Sequence, residues 1–190
     1  MNFRNRSYKE RNLKMKKLAL LIIVAVIMMV PSLAAAQTAT GTLTVTATVN
    51  SSINLVFNND AAGVPLASGA GTNTATLNFG NVSAFAAVAA NITRTTTATT
   101  FTVSTPVDVL VTKANSASAN YTLKAQLGAA DAVNTWQVGG NTVTNAAQTT
   151  ITATGTYGAN VPEAIALTVP FTTANATAIS NTINFTATAN

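Results

Sequence analysis

An all-β fold, built as an antiparallel sandwich or barrel, is predicted by three features of this sequence. Apolar residues alternate strictly with threonine over GTLTVTATV, starting at Gly41, and a period of two is that of a half-buried strand. Short runs of Val, Ile, Phe and Thr recur along the rest of the chain, separated by segments rich in Gly, Asn and Ala. Only 8% of residues are charged, so the outer faces of these strands must carry hydroxyls and amides in place of ions.

Taken in order, the first strand predicted is Gly41 to Val49, with Leu43, Val45, Ala47 and Val49 on one face and Thr42, Thr44, Thr46 and Thr48 on the other. A helix would need apolar residues three and four apart, and this run offers it no stripe. The same parity resumes at Ile53, Leu55 and Phe57 after the break Asn50-Ser51-Ser52, which predicts a second strand. A loop rich in Gly, Ala and Asn then runs to about Gly71. Strands follow over Thr74 to Phe79, Thr99 to Val103, Pro106 to Thr112, Asn120 to Leu127 and Thr135 to Val138, and Gly139-Gly140-Asn141 turns the chain. Gln148 to Tyr157, Ala164 to Phe171 and Asn181 to Ala189 complete the series, with turns around Ala159 to Pro162 and Thr173 to Ser180. The alanine-rich stretch Val82 to Ile92 suits a short helix as well as a strand.

The organisation is set by the first 36 residues. Seven of the ten basic residues (Arg4, Arg6, Lys9, Arg11, Lys14, Lys16, Lys17) precede the apolar run Leu18 to Val30, and Ala34-Ala35-Ala36 follows it. This is the pattern of a secretory signal with small residues before the cleavage site, so residues 1–36 are read as a leader for the Sec pathway, cleaved after Ala36. Met15-Lys16-Lys17 would open a leader of ordinary length. The remainder divides into an N-terminal extension, 37–49, and a β-sandwich domain, 50–190. The apolar run is shorter than the roughly 20 residues of a membrane-spanning helix, and no cysteine is present for lipidation. A secreted or cell-surface product without a membrane anchor is expected.

Beyond the leader, three cations (Arg94, Lys113, Lys124) face four anions (Asp60, Asp108, Asp131, Glu163), a net charge of −1. The basic balance of the whole chain belongs to the leader, and a nucleic-acid partner is excluded because no Lys/Arg cluster remains. With no His and no Cys, Ser-His-Asp and Cys-His catalysis are ruled out. The four carboxylates stand singly in the sequence and predict no acid/base pair. No enzyme activity, cofactor or metal is expected. Asn58-Asn59-Asp60 offers oxygen ligands but reads as a solvated loop, lacking the carboxylates that calcium sites gather. Lys124 shares parity with Thr122 and Gln126 and is expected to face water. Lys113 extends the inward parity of Val107, Val109 and Val111 at a strand end, where an amide cross-link to an Asn side chain is the less expected alternative to a snorkelling terminus.

The segments ATGTLTVTATVN (39–50), ATLNFGNV (75–82) and SNTINFTATAN (180–190), behind a secretory signal, resemble the spore coat protein U domain and the archaic chaperone-usher pilins. TLNFG at 76–80 is the most specific of these matches. The resemblance implies an incomplete immunoglobulin-like sandwich whose exposed groove is filled by the N-terminal extension of the next subunit. It implies that Leu43, Val45, Ala47 and Val49 are the donor residues, and that Ile183, Phe185 and Ala187 form the C-terminal strand bordering the groove. It also implies a homopolymer, with a periplasmic chaperone and an outer-membrane usher as partners. The chain departs from the family in having serines at 51 and 52, where a disulfide would begin, and in ending on Thr188-Ala189-Asn190 without the aromatic residue used in chaperone recognition; Phe185 is the nearest.

A structural subunit of an extracellular fibre or surface coat is therefore the function expected. The alternative is a monomeric secreted β-sandwich that binds carbohydrate or a surface through exposed aromatics. Trp136, Tyr121 and Tyr157 would have to serve it, and each is expected to be partly buried. An outer-membrane barrel would also alternate, but the few aromatic residues cannot form two girdles.

Overall fold

Nine strands in two antiparallel sheets make up the described part of the chain, residues 40–190, in a computed structural model. The expected leader lies outside the described residues. Of the described residues, those up to Thr46 fall in one unit and Ala47–Asn190 form a second. The strands are β1 (Ser52–Asn58), β2 (Thr93–Thr96), β3 (Thr100–Ala114), β4 (Tyr121–Leu127), β5 (Thr135–Val138), β6 (Asn141–Val143), β7 (Thr149–Gly155), β8 (Asn160–Pro170) and β9 (Ile183–Ala189). One sheet has the order β1-β3-β8-β5-β6, with β2 also pairing β3; the other is β7-β4-β9. Among the described residues no helix is long and apolar enough to cross a membrane.

Alternation builds the core. Along β3 the side chains of Phe101, Val103, Val107, Val109 and Val111 are buried, and along β4 those of Tyr121, Leu123, Ala125 and Leu127. Trp136, Val138, Ile165, Leu167 and Val169 complete the inner face of the larger sheet. Successive side chains point to opposite faces of a strand, so the residues between them form the outer faces. Hydroxyls there bond across the ladder: Thr102 with Thr168 at 2.7 Å and Thr93 with Ser104 at 2.7 Å. Lys124 lies on that outer side, as its parity predicts.

The runs Thr99 to Val103 and Pro106 to Thr112, predicted as two strands, form one continuous β3. Proline is tolerated because β2 pairs with residues 101–104 and β1 with residues 108–114, leaving a gap between them. In that gap Gly63 lies so close that a Cβ on it would come 2.1 Å from the Pro106 carbonyl oxygen. A residue's N and C=O point to the same side of a strand, so the missing N–H also faces the gap and no ladder bond is lost. The loops on either side are tied by the buried Thr105 hydroxyl, which donates to Asn91 O (2.9 Å) and accepts from Val64 N (2.8 Å).

The turn predicted over Ala159 to Pro162 falls largely inside β8, because the long β3 offers partners as far as Asn160. Pro162 is accommodated there because β5 pairs only Ile165 to Thr168 of β8. The predicted strand Thr74 to Phe79 is reduced to an isolated bridge, Ser68 to Thr76. The stretch Val82 to Ile92 is neither helix nor strand. The predicted strand over Gly41 to Val49 is also absent: its residues carry no strand hydrogen bonding, and alternation alone cannot make a strand without a ladder partner. The turn Gly139-Gly140 is as predicted, with φ of 55° and 79° joining β5 to β6.

Candidate functional site

Two sheet edges define the site. β1 pairs with β3 on one side only, and β9 with β4 on one side only. Among the described residues, the outer edges of both leave backbone N–H and C=O groups without ladder partners, apart from the bridge of Phe57 to Thr72. Between and beyond these edges lies a groove of about 1760 Å³.

The period of two in each strand aims its residues at this groove. On β1, Ile53, Leu55 and Phe57 are half-buried and line it. On β9, Ile183, Phe185 and Ala187 share the inward face, while Asn184 and Thr186 are exposed. Ile183 and Phe185 line the groove, whereas Ala187 packs beside Leu55 in the cluster around Tyr121. The Phe57 and Phe185 rings meet edge to face, with centroids 5.2 Å apart. Of the three C-terminal residues expected to border the groove, Ile183 and Phe185 line it, and Ala187 does not.

Two loops extend the walls. Leu77, Phe79 and Val82, from the segment that includes TLNFG, are half-buried against the core. Asn78 Oδ1 accepts a bond from Gly80 N at 2.8 Å and turns the chain, and Gly80 has a φ of 65°. The loop from Phe171 to Thr182 supplies Ile179 opposite. No ionisable side chain lines the groove among the described residues.

Leu43, Val45 and Val49 are 85%, 79% and 74% exposed, and Ala47 is exposed as well. The segment from Thr38 to Ser51 carries no charge. Among the described residues, an alternating, uncharged run is thus exposed in a chain that also holds a groove lined by apolar and uncharged polar side chains.

The titratable groups lie elsewhere. Asp60 and Asp108, expected to stand apart, are brought together because Asn58 pairs with Asp108 and the chain turns back immediately after β1. Burial raises the Asp108 carboxyl above its ordinary value, the Asp60 charge and a hydrogen bond with Asp60 raise it further, and a bond from Asn160 opposes them. The Asn59 and Asp60 oxygens are engaged in shaping the loop: Asn59 Oδ1 accepts from Leu66 N and Asp60 Oδ1 from Ala62 N, at 2.8 and 2.7 Å, while Asn58 Nδ2 donates to Asn160 Oδ1 at 3.0 Å. Glu163 is only 5% exposed and accepts from Thr152 Oγ1 at 3.1 Å; burial raises its carboxyl, and the Thr152 bond only partly offsets this. Among the described residues no three His, Cys, Asp or Glu side chains gather as metal ligands.

The aromatic residues that a binding module would need are turned inward. Trp136 is buried, and its Nε1 donates to Asp131 Oδ2 at 2.8 Å. Burial alone would raise the Asp131 carboxyl, but bonds from Asn134 N–H, Trp136 Nε1, the Asn134 side chain and Val133 N–H outweigh it and lower the value to about 2. Tyr121 is buried with its ring against Gly155, where a Cβ would come 2.2 Å from the ring, and 5.3 Å from the ring of Tyr157. Lys113 Nζ donates to the Ser118 carbonyl and lies 5.1 Å from the Tyr157 ring centre, which is the snorkelling terminus expected of it.

Sequence reasoning missed the exposed pair Phe85 and Phe171, with ring centroids 5.7 Å apart. Their positions, 86 residues apart in an ambiguous stretch and at a strand end, gave no local signal. No protein-family model, curated protein or solved structure matches this chain.

Proposed function

We propose that this chain is a structural subunit of an extracellular fibre or surface coat, exported through the Sec pathway and assembled as a homopolymer. In this reading the segment Gly41 to Val49 of one copy enters the groove of the next, as in the spore coat U and archaic pilin families that the sequence resembles. The groove between the unpaired edges of β1 and β9 carries the proposal.

The strand order supports an incomplete immunoglobulin-like sandwich. In that fold, strands A, B, E and D make one sheet and C, F and G the other. Here β1-β3-β8-β5 follows the first pattern, while β4 and β9 follow C and F. The position of G, beside F, is the outer edge of β9, where no strand is present among the described residues. A donated segment there would satisfy both edges at once.

Lengths and energies are compatible. At roughly 3.4 Å per residue, nine extended residues cover about 30 Å, the length of a sandwich edge. Burying each large apolar side chain contributes about 1.5–3 kcal/mol, and each ladder bond about 0.5–1.5 kcal/mol. Ordering the segment costs about 1–2 kcal/mol per residue, so covering the acceptor's half-buried core must supply the surplus. A groove with free strand edges and no charge is an association hazard before assembly, which gives a periplasmic chaperone and an outer-membrane usher their place as partners. The reading assigns no catalytic role and no cofactor.

Deletion of residues 37–49, with the leader retained, tests the proposal. The truncated chain is expected to be a soluble monomer that forms no fibres in negative-stain micrographs, whereas the full chain forms them. Fibres from the truncated chain would refute the donor role.

A further inference from the structure

We propose that the exposed aromatic patch of Phe85 and Phe171, at one end of the groove, is the seat for the body of the adjoining copy, received against that copy's turn Asn115 to Asn120. This rests on the fibre-subunit reading above and adds to it a direction and a contact surface.

β3 runs the length of the domain and marks its two ends. At its start, Thr100 pairs with Pro170 and Phe171 N donates to Thr99 O at 2.8 Å. Phe171 lies between two other rings, with centroids 6.4 Å to Phe101 and 5.7 Å to Phe85. β9 begins at this end, since the chain passes from Pro170 to Ile183 through a single loop. At the other end of β3, Ser52 of β1 pairs with Ala114, Ala189 of β9 pairs with Tyr121, and Asn190 N donates to Asn120 O at 3.1 Å.

Every strand pair in the two sheets is antiparallel. A strand added to β9 in the same pattern runs from its Ala189 end to its Ile183 end, and leaves the groove beside Phe85 and Phe171. Only Asn50 and Ser51 separate Val49 from Ser52, where the donor's own β1 begins. Three residue steps reach about 10 Å at most. The donor's body therefore lies directly against the aromatic end of the acceptor, and the part it presents is the end holding its β1 start and the turn after β3.

The two surfaces suit each other. Phe85 is 79% exposed and Phe171 39%. The loop that carries Phe85 is held in place by Arg94, whose guanidinium donates to the carbonyls of Ser83 and Ala86. The facing turn, Asn-Ser-Ala-Ser-Ala-Asn, is small and uncharged. Because the contact joins unlike ends, it is head-to-tail and propagates as a filament wherever the rotation between successive copies does not close a ring.

The chain has no cysteine, so introduced thiols report on this contact alone. The full chain carrying both Ala87→Cys and Ala117→Cys is assembled and mildly oxidised, beside each single variant. The expected result is a ladder of reducible oligomers from the double variant and none from either single one; the two positions sit at opposite ends of one domain and cannot bridge within it. Covalent dimers from Ala117→Cys alone would mean that like ends meet and would overturn the direction. Fibres of the double variant with no ladder would overturn the contact while leaving the fibre reading intact. Absence of fibres from the unaltered chain would overturn both.

Discussion

Replacing Leu43 and Val45 by serine separates the stability of the domain from its assembly. These side chains are 85% and 79% exposed, so removing them changes little in the isolated chain: exposed substitutions usually stay within about 0.5 kcal/mol. In the assembled state each would be buried in a neighbour's groove, where an apolar side chain contributes about 1.5–3 kcal/mol. Since each 1.4 kcal/mol is about tenfold in an equilibrium constant, either substitution is expected to weaken association roughly ten- to hundredfold. Both together are expected to weaken it by about 10²- to 10⁴-fold, the two contributions adding only if the side chains occupy separate sites. Sedimentation of oligomers against protein concentration measures the association, and thermal unfolding of the monomer measures the domain. A double variant that polymerises like the unaltered chain would sink the donor assignment. A double variant whose monomer melts well below the parent would show instead that the segment belongs to its own body.

Three further outcomes are expected. Glu163 has a raised carboxyl value, so the folded state holds its proton more tightly than the unfolded state. Its stabilising contribution is complete below the ordinary value of 4.5 and is lost as pH rises through the raised value; Glu163→Gln, which keeps an acceptor for Thr152, removes that loss and raises stability at neutral pH in urea titrations. Asp131 shows the opposite sign: its contribution is present above 3.8 and disappears as pH falls toward about 2, and Asp131→Ala is expected to abolish this acid dependence and, by leaving the Trp136 N–H unpartnered, to cost about 1–3 kcal/mol, read from chemical unfolding. Gly63→Ala puts a Cβ 2.1 Å from the Pro106 carbonyl oxygen, and a loss of about 1–3 kcal/mol from overpacking is expected in the same assay, with a smaller effect for Gly71→Ala, where a Cβ meets nothing within 4 Å but must adopt a positive φ.

Strands whose alternation is reinforced by a buried face were legible in the sequence. Tyr121 to Leu127, Thr135 to Val138 and the C-terminal run around Ile183, Phe185 and Ala187 follow the expected parity because core burial rewards the same period that defines a strand. β2 and β6 were missed because Thr93–Thr96 and Asn141–Val143 are short and polar, and neighbouring strands alone make them strands. Pro106 and Pro162 read as breaks, because whether a proline's missing N–H matters depends on which neighbour lies beside it. The segment Gly41 to Val49 shows the reverse error: its local pattern is that of a strand, yet a ladder needs a second edge. For the candidate site, the inward parity of Ile183 and Phe185 was legible from the alternation of their strand, whereas the place of Ala187, outside the groove lining, was not. The loop wall around Ile179, the exposed Phe85 and Phe171, and the meeting of Asp60 with Asp108 were not, since each depends on contacts between segments far apart in the chain.

The paired hydroxyls on the outer face of the larger sheet, Thr102 with Thr168 and Thr93 with Ser104, have an environmental consequence. Neither partner titrates anywhere near physiological conditions, and neither is screened by dissolved ions in the way an ion pair is. A sheet whose outer face is cross-linked by such groups keeps that face unchanged across wide ranges of pH and salt, leaving the fold's response to acidity to the few carboxyl groups set into it.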